Sequence, residues 1–386
     1  MRRKRLLASR INLGWNILRN LMTHAPRRLA AHGASRHARR TMSATRLVLA
    51  LIVVACAVAS VGCDSIKSKF IKSKVAVAPL LEPLAEADTA QLFAEINRVA
   101  QVKSLRGKID IQFLDTSFAK CGVIEKYQTA DGDVTVQRPG QIYLVIQDPF
   151  VSSKIAEMSS NGTKFWVAVL KGDEKYRNFL MGTNEASYQR MADGGEITCG
   201  GGGDKKSAAM QKRAVSAFSG LRPQHFTDAL LVRSITPTGT NLIYSRSEAF
   251  AEESDPRLGA SKSARVVRGY YQLEELEPDG EGRARLLRRF WFDRFGGVHL
   301  ARVQTFDARG ALATDVIYRN PKPFGEGGTY TLPSEIELTR PQEHYSIRIT
   351  YQTPDAVKVD QPYLPEAFVL ENRSNLKVVD LDTKKP

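Results

Sequence analysis

Residues 136 to 180 decide the fold, and they read VQRPGQIYLVIQDPFVSSKIAEMSSNGTKFWVAVLKGDEKYRNFL. Four short, largely apolar runs lie in this stretch: QIYLVIQ (141–147), SKIAEMS (153–159), KFWVAVL (164–170) and YRNFL (176–180). Dipeptides that favour tight turns border them, namely Pro139-Gly140, Asp148-Pro149, Asn161-Gly162 and Gly172-Asp173. Regular short strands joined by tight turns are typical of an antiparallel meander. The stretch therefore predicts an antiparallel sheet.

A helix and a further strand precede this meander. Asp88-Thr89 can cap a helix in which apolar residues recur at spacings of three and four, namely Leu92, Ile96, Val99 and Val102. In the following run, LRGKIDIQFL, apolar and polar residues alternate as in a half-buried strand. We expect the helix to bury its apolar stripe against the sheet.

The second half of the chain returns to strands after an unusual middle. Residues 181–206 contain seven Gly and predict a mobile loop; a phosphate-binding loop is the alternative, but GGGGDKKS lacks the Gly-Lys-Ser/Thr ending. Helices are predicted over 207–218 and 222–231, followed by seven apolar runs between turn residues. Four arginines cluster in one of these runs, at Arg283, Arg285, Arg288 and Arg289. A solvated strand edge explains them more simply than an anion site.

The net charge of +15 is concentrated in a leader. Residues 1–62 hold twelve Lys or Arg and no acid, which leaves 15 − 12 = +3 for the remainder. The sixteen residues LVLALIVVACAVASVG are fewer than the ~20 that span a bilayer and are typical of a secretory signal, with Met1 or Met42 as the start. A basic arm that binds nucleic acid and an uncleaved anchor are the alternatives.

Ser60-Val61-Gly62-Cys63, followed by a polar run, resembles the processing site of bacterial lipoproteins. The resemblance implies that Cys63 becomes the first mature residue and carries acyl chains such as palmitate, which anchor the protein to membrane lipid. Ser60 departs from the usual Leu, and Cys56, preceded by Val-Val-Ala, is a second candidate. We expect residues 1–62 to be leader and signal peptide, and 63–87 a lipidated tether.

Residues 88–372 resemble the LolA/LolB-like lipoprotein carriers. The resemblance rests on Arg138-Pro139-Gly140 before a strand, Asp148-Pro149, Asn161-Gly162 before a Trp-containing strand, and the hairpin FWFDRFGGVHLARVQTFDARG. It implies an α+β fold in which a strongly curved antiparallel sheet, a half-open β-barrel, is covered by a few helices around an apolar cavity. The residues expected to line that cavity are Ile111, Phe113, Leu144, Ile146, Trp166 and Phe292. A well-packed core without ligand is the alternative. Residues 373–386 are predicted to be a polar tail.

The resemblance implies a tethered acceptor or carrier of acylated lipoproteins or lipids on the periplasmic face of the outer membrane. Asp64 leaves the inner membrane open. An envelope interaction or sensory lipoprotein is the alternative function. The sequence contains no Gly-x-Ser-x-Gly or nucleotide-binding motif, and His225, His299 and His344 are far apart in it, so we expect no enzyme, cofactor or nucleic-acid partner. Cys121 and Cys199 either form a disulfide or stay free, and neither has the spacing of a zinc site.

Overall fold

The computed structural model describes residues 77–116, 125–126, 129–172, 174, 177–186, 221–238, 241–257 and 259–383. The three predicted cysteine sites, Cys63, Cys121 and Cys199, lie outside these residues, as do the leader, most of the Gly-rich segment and the predicted helix over 207–218. Helix α1 (Thr89–Ala100) and helix α2 (Pro223–Leu230) confirm the other two helices that the sequence predicts.

Helix α1 begins where the sequence predicts. The Asp88 side chain accepts a hydrogen bond from the backbone N–H of Gln91, and the Gln91 side chain accepts one from the backbone N–H of Asp88, both at 2.8 Å. This reciprocal pair satisfies two helix-end donors. Leu92 and Ile96 are fully buried, whereas Val102 lies beyond the end of the helix and is buried there.

The described strands form a single sheet. In chain order they are β1 (Ser104–Asp115), β2 (Glu125–Lys126), β3 (Ala130–Gln137), β4 (Gln141–Gln147), β5 (Lys154–Asn161), β6 (Lys164–Val169), β7 (Asn178–Thr183), β8 (Ile243–Ser254), β9 (Arg265–Pro278), β10 (Ala284–Asp293), β11 (His299–Phe306), β12 (Leu312–Phe324), β13 (Tyr330–Arg340), β14 (Tyr345–Tyr351), β15 (Lys358–Val359) and β16 (Lys377–Asp380). Their order across the sheet is β16-β7-β6-β5-β4-β3-β1-β14-β13-β12-β11-β10-β9-β8, with β2 and β15 also paired to β1. Within the described residues the sheet does not close into a barrel.

The two meanders of the chain meet at β1. This strand pairs with β3 on one side and with β14 on the other, both antiparallel, with Ile109 opposite Tyr351 and Ile111 opposite Ile349. Helix α2 contacts β3, β4 and β5 from one meander and β13 from the other. Because one short helix touches strands so far apart in the order, the sheet must curve around it. The predicted curved antiparallel sheet covered by helices is confirmed.

The outer face of the second meander, strands β8 to β14, carries pairs of oppositely charged side chains and other polar pairs. Arg302 lies beside Asp315, Arg289 beside Glu274 at 2.6 Å, and Trp291 donates to Gln304 at 2.9 Å. The four clustered arginines all have acidic partners, but Arg285, Arg288 and Arg289 lie in β10, which is an inner strand of the sheet. The prediction that these arginines lie at an edge of the sheet is therefore wrong. Pairing with acidic residues leaves the cluster little free positive charge for an anion.

Two predicted domain boundaries need correction. The tether predicted over 63–87 belongs to the fold from about residue 79, because Leu81 is buried and the backbones of Pro79 and Leu81 hydrogen-bond Val267 at 2.8 Å. The polar tail predicted from residue 373 contains β16, which pairs in parallel with β7 and is followed by the buried Leu381. Both segments bind through backbone groups of the sheet, and residue composition does not show such bonds.

Candidate functional site

Five of the six residues predicted to line a cavity lie together on the inner face of the sheet. Their side chains belong to one apolar cluster beneath the two helices, and none is more than 7% exposed. They are Ile111, Phe113, Leu144, Ile146 and Phe292. Phe113 stacks on Tyr345 with ring centres 5.8 Å apart. The alternation of apolar residues in β1, β4 and β10 therefore identified the inward face correctly.

Trp166 is the exception and lies on the outer face. Along β6, Phe165 and Val167 point into the main cluster, whereas Trp166 packs with Ala168 against a second, small cluster that contains Leu370. Adjacent strand residues point to opposite faces, so Trp166 cannot line the same space as Phe165. The prediction that Trp166 faces inward is wrong. Every residue of FWVAV is apolar, so the alternation of apolar and polar residues that identifies the inward face of a strand is absent here.

The apolar space found between the helices and strands β12 to β14 is almost filled. Its volume is about 10 Å³, which is close to the minimum that holds one water. Val99, Leu230, Phe324 and Ile336 are among the side chains around it. This closed arrangement leaves no room for an acyl chain. A chain could enter this space only if the groups around it moved apart, for example by movement of the helices away from the sheet.

The hydroxyl of Tyr351 is the exceptional polar group at this space. Tyr351 is 3% exposed, lies at the boundary of the void, and its hydroxyl has no hydrogen-bond partner within the described structure. Burial raises the pKa of Tyr351 above its ordinary value, so the hydroxyl keeps its proton and remains a donor. A buried donor without a partner costs roughly 1 to 3 kcal/mol. Sequence analysis missed Tyr351, because an aromatic residue in a strand looks like any other core residue.

Arg138 ties both helix ends to the turn between β3 and β4. Its Nε donates to the carbonyl of Val102 at 2.9 Å, and its Nη2 donates to the carbonyl of Val232 at 2.6 Å. Val102 follows α1 and Val232 follows α2. Burial, the largest effect, lowers the pKa of Arg138, and nearby Arg233 lowers it further. We call Arg138 and its two carbonyl partners the arginine clasp.

Gly162 allows the β5–β6 turn to pack closely on the β3–β4 turn, which carries Arg138. Gly162, at φ +96°, lies so near the β3–β4 turn that a Cβ there would sit 2.8 Å from the carbonyl oxygen of Pro139. No other residue type fits that position without moving the turn. The two turns that the sequence predicts at Pro139-Gly140 and Asn161-Gly162 are thus in contact with each other. This contact holds the turn that carries Arg138 beside the ends of the helices.

Further polar contacts hold the helical layer in place. Asn97 of α1 exchanges two hydrogen bonds with the backbone of Ile235, at 3.0 and 3.1 Å, and the Tyr318 hydroxyl donates to the carbonyl of Ala229 at 3.1 Å. On α2, Nδ1 of His225 lies 2.8 Å from the Tyr345 hydroxyl. Burial, the largest effect, and nearby charges lower the pKa of His225 to about 3, so this imidazole is neutral.

Other site types have no support among the described residues. No group of three or more His, Cys, Asp or Glu is placed there to hold a metal ion. None of the helices in that part of the chain has the length and apolar character needed to cross a membrane.

The fold is similar to that of solved structures with low sequence identity. A LolA superfamily protein, NE2245 from Nitrosomonas europaea, is 12% identical, with a TM-score of 0.35 over 74% of this chain and 99% of that chain. A DUF1329 family protein from Desulfovibrio piger is 12% identical, with a TM-score of 0.38 over 74% and 97%. An outer membrane lipoprotein-sorting protein domain from Vibrio parahaemolyticus is 9% identical, with a TM-score of 0.36 over 72% and 94%.

No protein-family profile matches the chain, and no curated protein matches it. One of these structures carries the name of the LolA superfamily, the group that the sequence resembles. At this identity and TM-score the likeness assigns neither a family nor a function. Both must therefore come from the residues of this chain.

Proposed function

We propose that the protein binds acyl chains of lipids or lipoproteins between its curved sheet and its two helices, as a carrier or acceptor in the cell envelope. The observation that carries the proposal is the unpartnered Tyr351 hydroxyl inside an otherwise apolar core. An ester or carboxyl oxygen at the head of an acyl chain would accept its proton. The chain itself would take the place of helix side chains on the apolar face.

Burial of the acyl chain would supply the favourable term in such an exchange. An acyl chain gains about 0.8 kcal/mol for each CH₂ that it buries. When the helices lift from the sheet, apolar side chains such as Leu230 and Ile336 lose their neighbours, and the acyl chain replaces those contacts. The cost includes the breaking of polar contacts, among them the arginine clasp and the hydrogen bond from Arg98 of α1 to the carbonyl of Thr331 at 2.9 Å. The clasp would contribute to the balance between the closed and the open form, because it holds the ends of both helices.

Anchoring at Cys63 belongs to the same proposal. A lipidated Cys63 would hold the carrier at a membrane of the envelope and bring it to acylated cargo. We propose a binding protein and not an enzyme, because the place where the acyl group would lie offers apolar side chains and the hydroxyls of Tyr318 and Tyr351, of which only that of Tyr351 is without a partner in the described structure.

The test is photolabelling of the purified full chain with a palmitate analogue that carries a diazirine near the end of its chain. We expect label on peptides that contain the inward residues Phe113, Ile146 and Phe292, and competition by unlabelled palmitate. Trp166 is a control within the same molecule, because its side chain lies on the outer face. Absence of competed label, together with no lipid mass in native mass spectrometry, would overturn the proposal.

A second candidate function, contact with a protein partner, is favoured by strand β8. This strand is an edge of the described sheet and exposes the apolar side chains of Ile243 and Phe250 by 51% and 55%. Exposed edge strands can pair with another chain. A photoreactive amino acid in place of Phe250 would capture such a partner in cells. Capture at this position without lipid label on the inner face would favour the interaction function over the carrier.

A further inference from the structure

The outer edge of strand β8 is unpaired within the described structure. β8 is the last strand in the order of the sheet, and β9 is the one described strand that pairs with it. Residues 245–248 in the middle of β8 are exposed, and so are the apolar side chains of Ile243 and Phe250. An exposed edge of this kind offers its backbone hydrogen-bonding groups to a further strand.

Contacts of β9 show which backbone groups of β8 point outward. Val267, which lies opposite Glu252, exchanges two backbone hydrogen bonds of 2.8 Å with residues 79–81, and the carbonyl of Gly269, which lies opposite Phe250, accepts one of 3.2 Å from the chain after β10. These groups of β9 therefore point away from β8. Residues opposite one another in an antiparallel ladder either both bond to each other or both point away. The outward-pointing residues of β8 are thus Tyr244, Arg246, Glu248, Phe250 and Glu252.

The free part of this edge is centred on Ser247. At one end, the carbonyl of Glu252 already accepts a hydrogen bond of 2.9 Å from the side chain of Arg265. At the other end, the strand begins at Ile243. Residues 243–251 lie between these limits, and Ser247 is in their middle. Two copies of one strand that pair antiparallel are related by a twofold axis. An axis at Ser247 would use the whole free edge.

The side chains on the two sides of Ser247 are complementary to each other. Opposite charges and aromatic pairs on facing strands stabilise a sheet. Glu248 is still 50% exposed although it pairs with Arg294, so it can take a second partner. With the axis at Ser247, the residues of one copy that face residues of the other are Arg246 with Glu248, Tyr244 with Phe250, Ser245 with Ala249, and Ile243 with Ala251.

Other positions of the axis are unfavourable. An axis at Arg246 sets two arginines opposite each other, and an axis at Glu248 sets two glutamates opposite each other. Like charges in these positions destabilise a sheet. An axis at Ala249 sets Phe250 opposite Glu248. Charged side chains commonly protect an edge strand from pairing. The order of the charges in β8 instead favours one register.

We infer that β8 pairs antiparallel with β8 of a second copy of the chain, with the twofold axis at Ser247, so that two sheets join into one. The inference rests on the second candidate function above, contact at β8, and names its partner; it does not depend on acyl binding. A single pair of strands is a small interface, so we expect weak association in dilute solution.

Disulfide trapping of the purified full chain at high concentration tests the register. Ser247→Cys places two cysteines on the axis, where the Cα atoms of a non-hydrogen-bonded pair are about 4.5 Å apart, within the reach of a disulfide. Oxidised glutathione should convert this variant to a dimer linked at residue 247, identified by peptide mapping. Wild type gives the background from its own cysteines. Ser245→Cys and Ala249→Cys are matched controls, because each should stay monomeric alone and form the mixed dimer when the two are combined.

A charge variant tests the interface without a new cysteine. Arg246→Glu sets a glutamate opposite Glu248 of the second copy and should weaken the dimer by about tenfold in sedimentation equilibrium. Lys322→Glu is the control, because it makes the same change of charge at an exposed position of β12 and should leave association unchanged.

Two outcomes would overturn the inference. One is no cross-link from Ser247→Cys above the wild-type background. The other is equal cross-linking of all three cysteine variants alone, which would show random collision. If a photoreactive group at Phe250 then captures a different protein, the interaction function stands with another partner. If that group captures nothing, both the inference and the second candidate function fail.

Discussion

The Nη2 atom of Arg138 lies 2.6 Å from the carbonyl oxygen of Val232, a residue 94 positions further along the chain. This hydrogen bond, with its companion to Val102, joins the β3–β4 turn to the ends of both helices. Arg138→Leu should therefore lower the free energy of unfolding by about 3 to 6 kcal/mol, since it removes two hydrogen bonds from a charged group and each contributes about 1.5 to 3 kcal/mol. Denaturation by urea measures the change.

The same variant should bind acyl chains more tightly. Loss of the clasp raises the fraction of molecules with open helices, and apparent affinity rises with that fraction, by about tenfold for each 1.4 kcal/mol. Displacement of a fluorescent fatty acid reports the affinity. Arg233→Leu is the matched control, because Arg233 is 63% exposed and paired at the surface. Equal effects of the two substitutions would show that the clasp does not hold the helices closed.

Tyr351→Phe should stabilise the protein. The hydroxyl is buried without a partner in the described structure, while the ring keeps its edge-to-face contact with Phe324 at 5.0 Å. Removal of the unpaired group should raise the free energy of unfolding by about 1 kcal/mol and weaken binding of a fatty acid. Tyr318→Phe, which loses a hydrogen bond to Ala229, should instead destabilise by about 1 kcal/mol. A lower melting temperature for Tyr351→Phe would contradict the assignment.

Because of His225, the free energy of unfolding should decrease as the pH is lowered. Burial, the largest effect, and the charge of Arg340 together lower the pKa of His225 from 6.5 to about 3. The folded state therefore stays neutral at His225 while the unfolded state takes up a proton as the pH falls below about 6.5, and the stability present above that pH is lost toward pH 3. Between about pH 7.5 and pH 5 the loss at this one residue should reach about 2 kcal/mol.

Urea unfolding at these two pH values, in wild type and in His225→Gln, measures the His225 contribution. Glutamine can still form a hydrogen bond with the Tyr345 hydroxyl but does not titrate, so the variant should lose that part of the pH dependence. His299→Gln, at an exposed position, is the control. An unchanged pH dependence in His225→Gln would contradict the buried, neutral imidazole.

Arg294 should fasten the N-terminal segment to the sheet. Its guanidinium is 4% exposed, donates to the carbonyl of Ala85 at 3.0 Å, pairs with Glu86 and Glu248, and lies 4.3 Å from the ring centre of Tyr271. Arg294→Met should cost about 2 kcal/mol and speed proteolysis between residues 77 and 88. Arg246→Met is the control, because Arg246 covers the same ring at 4.3 Å but is exposed. Equal cleavage rates in both variants would reject this role of Arg294.

Strand β16 should be needed for stability. Truncation after Asn372 removes β16, the buried Leu381 and the hydrogen bond between Asp382 and Thr183 at 2.9 Å. The loss should be about 3 kcal/mol, and the newly free edge of β7 should promote aggregation. Truncation after Thr383 is the control. If both truncated chains melt and aggregate alike, β16 contributes nothing to the sheet.

The sequence by itself determined the local structure. Alternation in β1, β4 and β10 identified the inward residues, Asp88 identified the start of α1, and the Pro-Gly and Asn-Gly pairs identified the turns, because each signal depends on residues close together in the chain. It also predicted the antiparallel meanders. It did not determine on which face of the sheet Trp166 lies, since both faces of β6 are apolar.

Only the tertiary structure decided which distant parts meet. The pairing of β1 with β14, the parallel addition of β16 to β7, and the two carbonyls that Arg138 binds all join residues far apart in the chain. The hydrogen-bonding groups in these contacts are largely backbone atoms, which every residue type carries, so composition cannot mark them. For the same reason the unpartnered hydroxyl of Tyr351 could be recognised only after all its neighbours had been placed.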